Sequence, residues 1–149
     1  MRKMKGLIVS ACLLGIPCRY DGASKHYHSE KTISELRERY HIVPVCPEIL
    51  GGLPTPRTGS ERVGLSVLMK DGRDVTENYK KGAEATLTLA RLLGCDRALL
   101  KERSPSCGRG AIYDGTFTET LTAGDGVCAE LLLKNGIEVY GESEAEKLL

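Results

Sequence analysis

The chain is predicted to fold as a three-layer α/β sandwich, Rossmann-like, with a mainly parallel sheet. Short β-prone runs recur at Leu7-Ile8-Val9, Ile42-Val43-Pro44-Val45 and Ala98-Leu99-Leu100. Stretches with helical periodicity lie between them, the alternation that gives parallel strands joined by crossover helices. Each of the three runs also leads into a loop that carries a cysteine: Cys12, Cys46 and Cys107. At 149 residues the chain is long enough to bury a core without staples, so a single domain over 1–149 is expected.

Leu7-Ile8-Val9 reads as a buried first strand. A loop rich in Gly, Pro and polar residues follows, from Cys12 to His28. A helix is predicted to start near Ser29, with Ile33, Leu36 and Tyr40 on one face. Ile42 to Val45 is the second strand, and Pro44 marks it as an edge or a strand end. Pro47 to Glu61 reads as a long irregular stretch, a type of segment that tends to carry function.

Val63 to Lys70 is predicted as one strand, closed by the tight-turn pair Asp71-Gly72. Asp74-x-x-Glu77 resembles a capping box, with Thr76 as the other candidate cap. The helix after it is the clearest element: Tyr79, Ala83, Leu87, Ala90 and Leu93 share a face, and Gly94 is a natural stop. Ala98 to Lys101 forms the next strand. Asp125 is the expected cap of a last substantial helix carrying Val127, Cys128, Leu131 and Leu132, closed by Asn135-Gly136. Ile137 to Tyr140 is a final strand, and Glu142 to Leu149 a polar tail with two helical turns.

Composition excludes several classes. There are 21 Lys and Arg against 20 Asp and Glu, a net charge of +1, which makes no electrostatic case for a nucleic-acid or membrane-surface binder. No run reaches the ~18 consecutive apolar residues of a membrane span. The apolar segment after the basic start is too short for a signal peptide, so a cytoplasmic protein is expected. Six cysteines, at 12, 18, 46, 95, 107 and 128, fit a reducing compartment better than a secreted disulfide framework. No C-x-x-C pair occurs, which argues against zinc ribbons, thioredoxin-type pairs and ferredoxin-like runs. A metal site would have to be assembled from distant loops.

The strand-end cysteines point to where. In open α/β sheets, ligands bind outside the carboxyl ends of the strands, where strand order reverses. Cys12, Cys46 and Cys107 all follow such ends, whereas Cys95 precedes its strand and Cys128 falls on an apolar helical face. As a plain alternative, cysteines are often simply small buried hydrophobes. Three thiolates without an evident fourth ligand suit either an open catalytic zinc or an iron–sulfur cluster with one iron unbound by protein. Soft ligation without imidazole leans toward the cluster. Cys18 is a further candidate ligand, although it follows Pro17 and opens a charged turn.

Glu48, two residues after Cys46, is placed to act as a general base if Cys46 binds metal; otherwise it is a solvated loop carboxylate. Ser104, three residues before Cys107, either caps the turn or hydrogen-bonds a ligand. His26, His28 and His41 are weak ligand candidates. Arg19, Arg57, Lys101, Arg103 and Arg109 flank the cysteine loops and would offset thiolate charge. Gly51-Gly52, Gly108-Arg109-Gly110 and Gly124-Asp125-Gly126 lack the spacing of a phosphate-binding fingerprint and read as loop glycines.

Val9-Ser-Ala-Cys-Leu-Leu-Gly15, Cys18-Arg-Tyr-Asp-Gly22, Val43-Pro-Val-Cys-Pro-Glu48, Gly51-Gly-Leu-Pro-Thr-Pro-Arg57, Lys101-x-x-Ser-Pro-Ser-Cys-Gly108 and Ile112-Tyr-Asp-Gly-Thr-Phe117 occur in that order. Together they resemble the thiouracil desulfidase family in its short form. The resemblance implies a 4Fe-4S cluster held by Cys12, Cys46 and Cys107, with one iron open to the substrate's sulfur. It also implies Glu48 as the acid–base residue and Ser104 as its assistant. The expected reaction is hydrolytic removal of sulfur from a small thiolated nucleobase or similar thioamide, with release of hydrosulfide. Two rivals remain open in the sequence: sulfur delivery to an RNA base, and a non-catalytic zinc-binding module. Near-neutral charge counts against gripping RNA, where phosphate contacts dominate.

Overall fold

The structure, a computed structural model, describes residues 4–23 and 30–149. His26, His28 and the predicted helix start at Ser29 lie outside them. A four-stranded sheet in the order β2-β1-β5-β8 forms the centre, with every neighbouring pair parallel. Its strands are β1 (Lys5–Ser10), β2 (Tyr40–Val45), β5 (Cys95–Leu100) and β8 (Glu138–Gly141). The chain passes from β1 to one side and later to the other, so strand order reverses around β1. That reversal opens a crevice at the carboxyl ends of β1, β2 and β5. Pro44 sits on β2, the edge strand, where a missing N–H costs no ladder bond.

Alternation along β1 sends its side chains to two layers. Ile8 joins Ala98, Leu100 and Val139 beneath α3 (Thr76–Leu92) and α4 (Val127–Lys134). Leu7, Val9 and Leu99 face the other way, onto Leu36 of α1 (Glu30–Arg39) and onto Ala145 and Leu148 of the C-terminal 3-10 helix, Glu142–Leu148. That tail is therefore part of the core and not simply polar. The Tyr40 hydroxyl ties it down by donating to the Leu148 carbonyl at 2.9 Å.

Several boundaries differ from expectation. The predicted strand Val63 to Lys70 is a hairpin, β3 (Ser60–Val63) and β4 (Ser66–Met69), because Gly64 turns the chain at φ 60°. The stretch from Pro47 to Glu61 is not wholly irregular: Pro47–Leu50 forms a single-turn helix, α2, with Pro47 at its start. Helix α3 begins at Thr76 with Val75 at the cap position, while the Asp74 carboxylate accepts the Thr76 N–H at 2.9 Å. Leu93 lies past the end of α3 and is exposed. Gly126, not Asp125, is the cap residue of α4; Asp125 accepts the Gly110 N–H instead. Cys95 is the first residue of β5, at the amino edge of the sheet. A second small hairpin, β6 (Ala111–Tyr113) and β7 (Leu121–Ala123), was not foreseen.

Two glycines bring α2 hard against α3. A Cβ on Gly82 would run into the Pro47 carbonyl, and one on Gly51 into the Asn78 carbonyl. The side chain of Asn78 adds a bond to the Gly51 carbonyl at 2.9 Å.

Candidate active site

Each strand end delivers its cysteine in a different local setting. Cys12 sits in the 3-10 turn Ala11–Leu13 directly after β1. Cys46 follows β2 and is the cap residue of α2, whose second residue is Glu48. Cys107 lies in the loop after β5, and that loop is fixed by the start of α4. The N–H groups of Val127, Cys128 and Ala129, which a helix start leaves unpaired, donate to the carbonyls of Pro105 and Ser106 at 2.8–3.1 Å. Gly108 is required there, since a Cβ would press on Ile112 and the Ser104 carbonyl.

The three thiols line one cavity of about 490 Å³, together with Cys18, Glu48 and Ser104. All five residues singled out for the site are thus gathered at the carboxyl rim of the sheet. Cys95 and Cys128 are not. All six described cysteines are free thiols.

The thiols feel one another. Burial, then the nearby Cys46 charge, pushes Cys12 up to about 11, while Lys101 and Arg19 pull it down. Burial raises Cys107 well above the ordinary thiol value. The neighbouring Cys18 thiol lowers Cys46, and the same contact raises Cys18; in its thiol form Cys46 donates to the Cys18 carbonyl at 3.8 Å. Three thiolates this close to each other repel, and a bound cationic centre would relieve that repulsion.

Glu48 is held from three directions. Its Oε1 accepts from the Tyr79 hydroxyl at 2.8 Å and from Arg57 Nε at 3.0 Å. Its Oε2 accepts from the Ser106 hydroxyl at 3.1 Å. Arg57 is itself fixed, since its Nη2 donates to the Cys18 carbonyl at 3.2 Å. Burial, then the Glu48 charge, keeps the Tyr79 phenol protonated. Tyr79 therefore remains a donor to the carboxylate across the working pH range.

Ser104 takes the capping role expected of it. Its Oγ accepts the N–H groups of Ser106 and Cys107, each at 3.1 Å, which caps the turn. It also shares a hydrogen bond with the Ser106 hydroxyl at 3.0 Å, completing a chain Ser104–Ser106–Glu48. Sequence reasoning missed Ser106 and Tyr79. Ser106 sits inside the Ser-Pro-Ser-Cys run, but Tyr79 reads as an ordinary core position of α3. Of the flanking cations, Arg19, Arg57, Lys101 and Arg103 line the cavity, and Arg109 is exposed outside it. His41 is exposed on β2 and does not line it.

The donor set fits a cluster. Three soft thiols on one cavity, with no imidazole in its lining among the described residues, suit an iron–sulfur unit.

Comparison with known proteins gives the same picture. Residues 7–144 match the family model for 2-thiouracil desulfurase. The chain is 42% identical, over 153 aligned residues, to the uncharacterized protein YbbK of Bacillus subtilis (strain 168), covering 96% of this chain and 99% of that one. Among solved structures it is similar to the 4Fe-4S-dependent thiouracil desulfidase TudS, with a TM-score of 0.92 and 46% identity. That match covers 97% of this chain and 95% of the other.

Proposed function

The chain belongs to the 2-thiouracil desulfurase family, and from that premise we propose that it hydrolyses the C–S bond of thiolated nucleobases or similar small thioamides. The observation that carries this reading is the convergence of Cys12, Cys46, Cys107 and Glu48 on one cavity at the carboxyl rim of the sheet. Cys12, Cys46 and Cys107 would hold a 4Fe-4S cluster, which when bound supplies a soft Lewis-acid iron for the thiocarbonyl sulfur.

The remaining chemistry belongs to the chain's own residues. Tyr79 and Arg57 occupy Oε1 of Glu48 and fix its plane. Oε2 is left on the side of the two serines, where it can take a proton from water attacking the thiocarbonyl carbon. Ser104 and Ser106 orient that water and pass the proton along the hydroxyl chain. As the C–S bond breaks, Glu48 returns its proton to the departing sulfur. Water thus supplies the carbonyl oxygen, its second proton passes from that oxygen to solvent as the carbonyl forms, hydrosulfide leaves, and no net electron transfer is needed.

Single-unit action over 1–149, a cytoplasmic location and a small-molecule partner complete the proposal. Its support is the free thiols, and no described helix is long and apolar enough to cross a membrane. A net charge of +1 offers little to a polyanion such as RNA. The test is anaerobic reconstitution with iron and sulfide, followed by assay of sulfide release from 2-thiouracil and 4-thiouracil. Protein with a full complement of iron and labile sulfide that releases none refutes the reading.

A further inference from the structure

The cavity has two unlike walls. One is the thiol rim of the sheet; the other comes from the two hairpins and includes Glu61, Tyr113, Phe117 and Glu119. The loop joining β6 to β7, Asp114 to Thr120, is unusually constrained for a hairpin tip. The Thr116, Thr118 and Thr120 hydroxyls form a ladder with spacings of 2.6 and 2.8 Å, and Thr116 also donates to Asp114 at 2.6 Å. These threonines do not line the cavity, whereas the alternate residues, Phe117 and Glu119, do. Both of those adopt left-handed backbone, at φ 58° and 59°. A bulky residue in that region is an outlier that surrounding structure must enforce, and such outliers gather at ligand clamps.

What enforces it is a carboxylate from the neighbouring hairpin. Glu61 of β3 is buried, and its Oε1 accepts the Gly115 N–H at 2.9 Å and the Phe117 N–H at 3.1 Å. Gly115 lets the two hairpins meet, since a Cβ there would press on Val63. The result is the chain's only phenylalanine, half-buried, held in the lining of the cavity that the thiols share.

We propose that Phe117 is a specificity-determining residue on which the flat face of a heterocyclic substrate stacks, and that Glu61 is the positioning residue that sets its ring. The inference rests on the desulfidase reading and deepens it: the preferred substrates are planar rings, and acyclic thioamides are poor ones. A ring directing its sulfur toward the thiol rim has its two faces turned to the sides of the cavity, and Phe117 is the aromatic side chain of the hairpin tip that lines it. Aromatic–base stacking tolerates differences in ring substituents, so it selects for a class of rings and not for one base.

The test uses cluster-loaded protein, with wild type and variants matched for iron and labile sulfide. Phe117→Ala raises KM for 2-thiouracil roughly tenfold or more, as loss of one stacked base does elsewhere, and leaves kcat close to wild type. Phe117→Tyr retains the wild-type KM, whereas Phe117→Leu, which keeps apolar bulk without a π face, behaves as Phe117→Ala. Glu61→Ala raises KM in the same way, and Glu61→Gln, which keeps an acceptor oxygen, restores it. Calorimetric binding of uracil reads the same contact without turnover and weakens in parallel. Undiminished uracil binding by Phe117→Ala, or a fall in kcat with KM unchanged, overturns this inference alone. Wild-type holoprotein that releases no sulfide from 2-thiouracil overturns the functional reading whatever the variants do.

Discussion

Cys107 at the rim of the sheet and Cys128 inside its core are hidden from solvent to a similar degree, yet they have different surroundings. Cys128 is 0% exposed and Cys107 5%. Cys128 has apolar neighbours from α3 and α4 together with the Thr86 hydroxyl, and burial pushes its thiol up to about 12 despite that hydroxyl. Cys107 has the Ser106 hydroxyl at 3.5 Å and borders a cavity shared with Cys12, Cys46, Arg57 and Lys101. Burial alone therefore does not tell a ligand from a packing residue. An open face on a shared cavity is what sets the candidate ligand apart.

The strongest way to break that contrast is to remove the sulfurs one at a time. Cys12→Ala, Cys46→Ala and Cys107→Ala should each abolish stable cluster binding, measured as iron and labile sulfide per chain after anaerobic reconstitution. Cys95→Ala and Cys128→Ala should keep both. Equal iron loss from Cys128→Ala would erase the distinction between rim and core.

Next in size is the carboxylate. Glu48→Gln should keep iron content but lower kcat by roughly 10²–10⁴-fold, the usual range for losing a general acid–base group. Retained turnover would leave Glu48 a structural anchor for Tyr79 and Arg57. Smaller again is the core thiol's contribution to stability. Cys128→Ala should cost ~1 kcal/mol in urea unfolding of the apoprotein, as expected for a small buried truncation. The finest distinction is one of reactivity. In the apoprotein Cys46 should be alkylated by iodoacetamide at neutral pH, because its lowered pKa gives thiolate there, while Cys128 stays protonated and unreactive. Equal labelling rates at neutral pH would contradict the lowered value of Cys46.

The sequence made the central sheet legible because its strands are compact β-prone runs, and α3 legible because its apolar positions recur with helical spacing. The two hairpins were not, for physical reasons. β3 is a polar strand, Ser60–Val63, with no clear alternation, and β6 and β7 are three residues each. The threefold pattern of strand end, cysteine and loop exposed the thiols, and their chain neighbours Glu48 and Ser104 followed. Tyr79 stayed hidden because its apolar ring satisfies the core pattern while its hydroxyl serves the cavity. Only the crossing of α2 over α3 brings that hydroxyl to Glu48, and a crossing is not written in local spacing.

The bare backbone contact at Gly82 and Gly51 has a consequence for mutational tolerance. One added methyl at position 82 would pry the α2 turn away from its neighbour, moving the carboxylate and the adjacent sulfur together. A saturation screen scored on hydrosulfide output would then rank this glycine beside the three rim cysteines, although it sits on the far side of the turn and does not line the cavity.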